Sequence, residues 1–260
     1  MTEETYKTNP ARRLLEILEA ANNIPNLDAS GAIVKTRTAW CRVFEIPEPG
    51  SEEALLQVLS RLVALRKLFN ETESALRAIT GINEDLFIRP VTCLEQVVNL
   101  NGLANGWGTY SSFLNVENMT RLQYAVHLLS QSATAEENEV PVNELKELLI
   151  EVDSLIESLL ESLLPHDLKT SLITLLNDIR KAILEYRIRG AVVLKEALAE
   201  SIGVLAVNKE ALDQNKDSED LQALGNMLIR IDKLYMFAMK MKPLLEAASN
   251  ILPALASHIK

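Results

Sequence analysis

Two leucine-rich stretches in the second half of the chain repeat their apolar residues at a period that belongs to helices. Leu145, Leu149, Val152, Ile156, Leu159 and Leu163 are spaced four, three, four, three, four, and Leu168, Leu172, Leu175, Ile179, Ala182 and Tyr186 repeat those steps after the short connection LPHDL. Steps of three and four keep residues on one face of a helix, whereas in a strand they would be split between both faces. Two such helices joined by a few residues are expected to fold back as a long antiparallel hairpin. Leu148, Leu155, Leu160, Leu176 and Ile183 make the apolar face wider than a two-stranded seam, so a further helix must cover it. The stretch after Gly190 and the segments from about Asp217 to Met241 and Leu244 to His258 are the candidates.

The remaining sequence is punctuated by helix signals. Pro10 opens a helix to about Ala21, since proline at the first helical position loses no needed hydrogen bond. A second helix is expected from about Asp28 to Phe44, ended by EIPEPGS. Ser51, followed by Glu52 and Glu53, caps a long helix that ends near Gly81. Pro90 starts another, reaching about Leu100. The stretch NLNGLANGWGTYSSF reads as irregular, and Asn115 caps a helix from Val116 to about Ser130. Leucine and alanine dominate while β-branched runs are rare, so the expected fold is an all-α multi-helix bundle. The small and acidic residues of SQSATAEENEVPV suggest a boundary. Residues 1–132 would form an N-terminal helical lobe and 142–260 a C-terminal bundle, with 133–141 an acidic linker, unless the whole is one continuous domain.

A formal charge of -10 and a pI near 5.0 argue against non-specific binding to nucleic acid, whose phosphates repel an acidic surface. Cys41 and Cys93 are too few for a disulfide framework and wrongly spaced for a zinc ribbon. The N-terminal MTEETYKTNPARR lacks the basic-then-apolar pattern of a secretion signal, and no run approaches the roughly 20 apolar residues of a spanning helix. A cytoplasmic location without integral membrane insertion is the expectation.

Five places hold residue types that can carry chemistry. In EYRIRGAVVLKEAL, Gly190 directly follows two arginines. Arg187, Arg189 and Lys195, with Tyr186, could bind an anion near a glycine turn, but Glu185 stands four residues before Arg189 in the favourable order for a helical ion pair. Neither G-x-x-x-x-G-K-[ST] nor G-x-G-x-x-G surrounds them, so Gly190 reads as a packing glycine or a kink. The NGWGTYSSF turn carries Trp107 and Tyr110 but no G-x-S-x-G, which makes it an inter-helix loop suited to a ligand or partner contact. Nine acids lie between Glu136 and Glu161 against Lys146 alone. Glu147 with Glu151 and Glu157 with Glu161 have a spacing that could serve a metal, yet no Glu-x-x-His element accompanies them, so no metal site is assigned; a basic partner or the segment Arg180 to Lys195 would compensate the acids. The methionines Met227, Met236, Met239 and Met241 read as core filling beside a basic face. Cys41, near Trp40 and Phe44, reads as a buried small hydrophobe.

The stretches AWCRVFEI and EYRIRGAVVLKEAL resemble segments of uncharacterised all-helical bacterial proteins, which implies a bacterial, cytoplasmic origin and transfers no site residues. The reading is a non-catalytic helical interaction protein, a scaffold, regulator or immunity-type inhibitor, that binds a protein partner or itself. No catalytic residue and no cofactor is assigned. Trp107, Tyr110, Tyr186, Arg187, Arg189 and Lys195 are the candidate partner or anion contacts. An enzyme or nucleotide-responsive effector with an unfamiliar helical site is the alternative, and a membrane-surface protein acting through its C-terminal helices is the third.

Overall fold

Most helices of the first half begin where a side chain satisfies the free N–H groups of the first turn. In the computed structural model, which describes residues 7–131 and 137–239, Asn9 Oδ1 accepts from Arg12 N at 3.0 Å and Pro10 opens α1 (Pro10–Asn22). After α2 (Thr36–Val43), Ser51 Oγ accepts from Ala54 N at 3.1 Å to start α3 (Glu52–Arg77). Asn83 does the same for Leu86 in α4 (Glu84–Glu95), and Asn115 for Asn118 in α6 (Val116–Ser130). Between them lie a 3-10 turn, Leu100–Gly102, and the one-turn helix α5 (Gly108–Ser111). The second half contains α7 (Val142–Glu161), α8 (His166–Arg189), α9 (Val192–Val207), α10 (Lys209–Gln214) and α11 (Glu219–Met239). Two-residue strands, β1 (Lys7–Thr8) and β2 (Glu137–Asn138), are the described extended elements. The protein is an all-α multi-helix bundle.

Two expected boundaries are corrected. The helix foreseen from Asp28 begins at Thr36, because Asp28 Oδ1 instead accepts from Ser30 N, Ser30 Oγ and Ala32 N while Gly31 takes φ +82°. This local carboxylate turn outcompetes the first helical turn. The helix foreseen from Pro90 begins six residues earlier, at Glu84 behind the Asn83 cap, and carries Pro90 in its interior. The cap with Glu84 and Asp85 behind it sets the start, and the proline is accommodated. The expected helix from Leu244 to His258, Met241, and residues 133–136 of the acidic linker lie outside the described residues.

The chain forms two compact units. The N-terminal unit takes residues 7–136 together with Arg187–Arg189, and the C-terminal unit takes Glu137–Tyr186 and the residues from Gly190 onward. In the N-terminal unit α1 and α4 each pack against both α3 and α6, and α2 packs against α1 and α3. Leu14, Leu18, Trp40, Leu65, Phe69 and Leu122 fill the space between them. Ile188 is buried in the same core.

In the C-terminal unit burial follows the period along α8 but only at alternate seam positions of α7, where Leu149 and Ile156 are half-buried and Leu163, just beyond, is fully exposed. Leu145, Val152 and Leu159 of α7 and Leu168, Leu172, Leu175, Ile179 and Tyr186 of α8 belong to one core. A four-residue connection joins the two helices, and Arg180 pairs with Asp153 at 2.8 Å. The surplus apolar face is covered by α11, which packs against α7 and α9 and contributes Leu224, Leu228, Ile231 and Tyr235.

Candidate functional site

Two loops of the N-terminal unit interlock through main-chain hydrogen bonds. The first, residues 23–35, folds back on itself: Val34 N donates to Asn26 O at 2.9 Å, Asp28 N donates to Ala32 O at 2.8 Å, and Leu27 and Ile33 sit opposite each other as an antiparallel bridge. The second, residues 99–112, is bound to the first and to the start of α2. Trp107 N donates to Val34 O at 2.8 Å, Thr36 N to Asn105 O at 2.9 Å and Arg37 N to Leu103 O at 3.0 Å. Ser111 Oγ donates to Asn26 Oδ1 at 3.1 Å.

Beneath the loops lies an aromatic cluster. Trp40 stacks on Phe44 with centroids 5.5 Å apart and meets Trp107 edge to face at 5.6 Å, arrangements that aromatic quadrupoles favour. Both tryptophans are wholly buried, and their indole N–H groups have no hydrogen-bond acceptor among the described residues. Tyr110 is also buried, its Oη accepting from Asn105 Nδ2 at 3.0 Å and lying against Gly102. A Cβ at Gly102 would come within 1.8 Å of that oxygen, so the backbone turn and the tyrosine fit only because residue 102 is glycine. Cys41, buried on α2, has its thiol pKa pushed up by desolvation, which the nearby Arg37 partly offsets.

The loops therefore use Trp107 and Tyr110 as anchors and offer other side chains to solvent. Leu27 and Ile33, facing each other across the bridge, are 54% and 63% exposed. Between them in the chain, Asp28, its carboxyl held below the ordinary range by the Ser30 hydroxyl and the Ala32 and Ser30 amides, orders the turn. The D-A-S-G stretch at 28–31 was the sequence signal for this turn. The pairing of loops some seventy residues apart left none.

The stretch around Gly190 is resolved differently. Gly190 ends α8 with φ +65° and ψ -156°, a conformation open to glycine, and its N–H donates to Tyr186 O at 2.8 Å. The next N–H, of Ala191, donates to Glu137 Oε2 at 3.2 Å, so a carboxylate of the chain itself stands at the start of α9. Tyr186 is buried and its Oη accepts from Val140 N at 3.1 Å. Arg187 is exposed, Arg189 half-buried, and Lys195 exposed on α9. Tyr186, Gly190 and Lys195 belong to the C-terminal unit, and Arg187 and Arg189 to the N-terminal one.

On the acidic face, Arg230 of α11 donates to Glu144 and Glu147 of α7 at 2.7 Å each and also to Glu151. Its guanidinium pKa is raised, first by the hydrogen bonds to Glu144 and Glu147. The compensation foreseen from the segment Arg180 to Lys195 is thus shared: Arg180 takes Asp153, and the more distant Arg230 takes three glutamates. Among the described residues no group of three or more His, Cys, Asp or Glu is placed to hold a metal ion, and no helix is long and apolar enough to cross a membrane.

Compared with family models, curated proteins and solved structures, the chain matches none.

Proposed function

We propose that this is a non-catalytic interaction protein that recognises a protein surface through the paired loops of its N-terminal unit. The observation that supports this reading is the Leu27–Ile33 pair, held out to solvent on a turn that hydrogen bonds have already ordered. Exposed aliphatics on a floppy loop would lose binding energy to the ordering of that loop. Here that cost is met during folding. Loops fixed on a rigid helical scaffold are a common place for recognition, and a small apolar centre ringed by polar groups suits a protein surface. The two loops also carry the exposed polar residues Asn26, Ser30, Thr109 and Ser112. A bacterial, cytoplasmic setting belongs to the same proposal.

A photo-crosslinking residue at Ala29, exposed at the tip of the first loop, tests the proposal in the native host, with one at the exposed Asp213 of α10 as control. A discrete adduct from position 29 and none from 213 is expected; an adduct with the mass of two chains identifies the partner as a second copy. Absence of adducts at 29, or the same adducts at both positions, contradicts it.

A further inference from the structure

The C-terminal unit keeps an apolar row open along α7 after α11 has packed. Val142, Leu149 and Ile156 follow one another at intervals of seven on the helix and Leu163 continues the interval just past its end, and positions seven apart lie within about 20° of each other. Leu149 and Ile156 are half-buried, Val142 is 53% exposed, Leu160 on the same face is 62% exposed, and Leu163 is fully exposed. The row is about 30 Å long at 1.5 Å per residue. Single exposed aliphatics are ordinary on a protein surface, whereas a contiguous row of this kind marks an interface.

The charges around the row divide into three sets. Glu144, Glu147 and Glu151 lie on the flank toward α11, where Arg230 meets all three. Asp153, beside the middle of the row, is paired with Arg180 of α8 at 2.8 Å. Lys146 and Glu157 are left: both are exposed, and neither enters an ion pair among the described residues. They share the flank away from Arg230, roughly 40° and 60° round the helix from Val142, and stand about 16 Å apart along it, too far to meet within one chain.

The row is symmetric about its midpoint, between Val152 and Asp153. A two-fold axis there, perpendicular to α7, lays the helix antiparallel on its copy and sets Leu149 against Ile156, and Val142 against Leu163, of the second copy. The same axis brings Lys146 of each copy within about 3 Å, measured along the helix, of the level of Glu157 on the other, on the same side of the seam. A parallel pairing would set Lys146 level with Lys146 and Glu157 level with Glu157.

We propose that two copies of the chain associate through α7 in this antiparallel, two-fold arrangement, with the apolar row at the centre and two Lys146–Glu157 pairs at its edge. The surface belongs to the C-terminal unit, and recognition through the paired loops of the N-terminal unit does not depend on it.

Sedimentation equilibrium of the full chain at micromolar concentrations tests the arrangement, and a monomer–dimer equilibrium is expected. Leu160→Glu with Leu163→Glu, at two exposed positions, should abolish the dimer while the helical circular-dichroism signal is unchanged. Lys146→Glu or Glu157→Lys alone should each raise the dimer dissociation constant about tenfold by placing two like-charged pairs at the edge, and the two together should return it to within about threefold of the native value. A chain that stays monomeric, a dimer indifferent to the leucine substitutions, single charge reversals without effect, or a double reversal no better than the single ones overturns the proposal.

Discussion

At the scale of single residues, the structure turns on a few positions where one side chain admits no substitute. Gly102 is one, because a methyl group there collides with the Tyr110 phenol and ring. Gly102→Ala is expected to destabilise the N-terminal unit by about 1–3 kcal/mol through overpacking, measured as a shift in urea midpoint with an unchanged slope. The two cysteines provide a second check. Cys41 is buried with its thiol pKa raised above the ordinary 9.0, while Cys93 is partly exposed. A folded-state pKa raised in this way contributes stability that is fully present below the unfolded thiol's value and is lost as pH rises through the folded one. At pH 8 a thiol reagent should therefore modify Cys93 readily and Cys41 at the rate of unfolding. Equal rates for both would mean that α2 does not cover its thiol.

At the scale of elements, local chemistry explains what the sequence revealed and what it concealed. The starts of α1, α3 and α6 were legible because Pro10, Ser51 and Asn115 are start signals within or beside the first turn, while the Asn9 cap on α1 emerged only in the structure. The heptad steps of α8 were legible because burial follows them residue by residue, whereas on α7 it follows only Leu145, Val152 and Leu159 and leaves Leu163 exposed. The start of α2 was not, since Asp28 has the right type for a cap and spends its oxygen on a turn instead. Nor was the role of Arg230, which depends on α11 lying against α7. Removing that guanidinium leaves Glu144, Glu147 and Glu151 at spacings of three and four with no cation between them. Because these groups are partly exposed, Arg230→Met should cost only about 1 kcal/mol. The sign of the salt effect is the sharper readout: added NaCl should weaken the native protein slightly and strengthen the variant, and parallel salt responses would show that the cluster is not coupled to stability.

At the scale of the whole molecule, the chain builds two separate helical cores, and the proposed recognition surface lies on the loops of the N-terminal unit. The fold class was readable because helix periodicity is written into consecutive residues. The candidate surface was not, because it arises when residues 26–37 meet residues 103–111, a pairing that no local pattern encodes. Trp107 and Tyr110 drew notice as large side chains in an irregular stretch, and the structure places them underneath as anchors while Leu27 and Ile33 face outward. Replacing two exposed side chains on a turn ordered by its own backbone and by Asp28 should leave stability within about 0.5 kcal/mol. The decisive measurement is therefore crosslinking from position 29 in a Leu27→Ser, Ile33→Ser chain whose urea midpoint has been matched to the native one. Loss of the adduct at unchanged stability is the predicted result; an adduct formed as efficiently as before would contradict recognition through these loops.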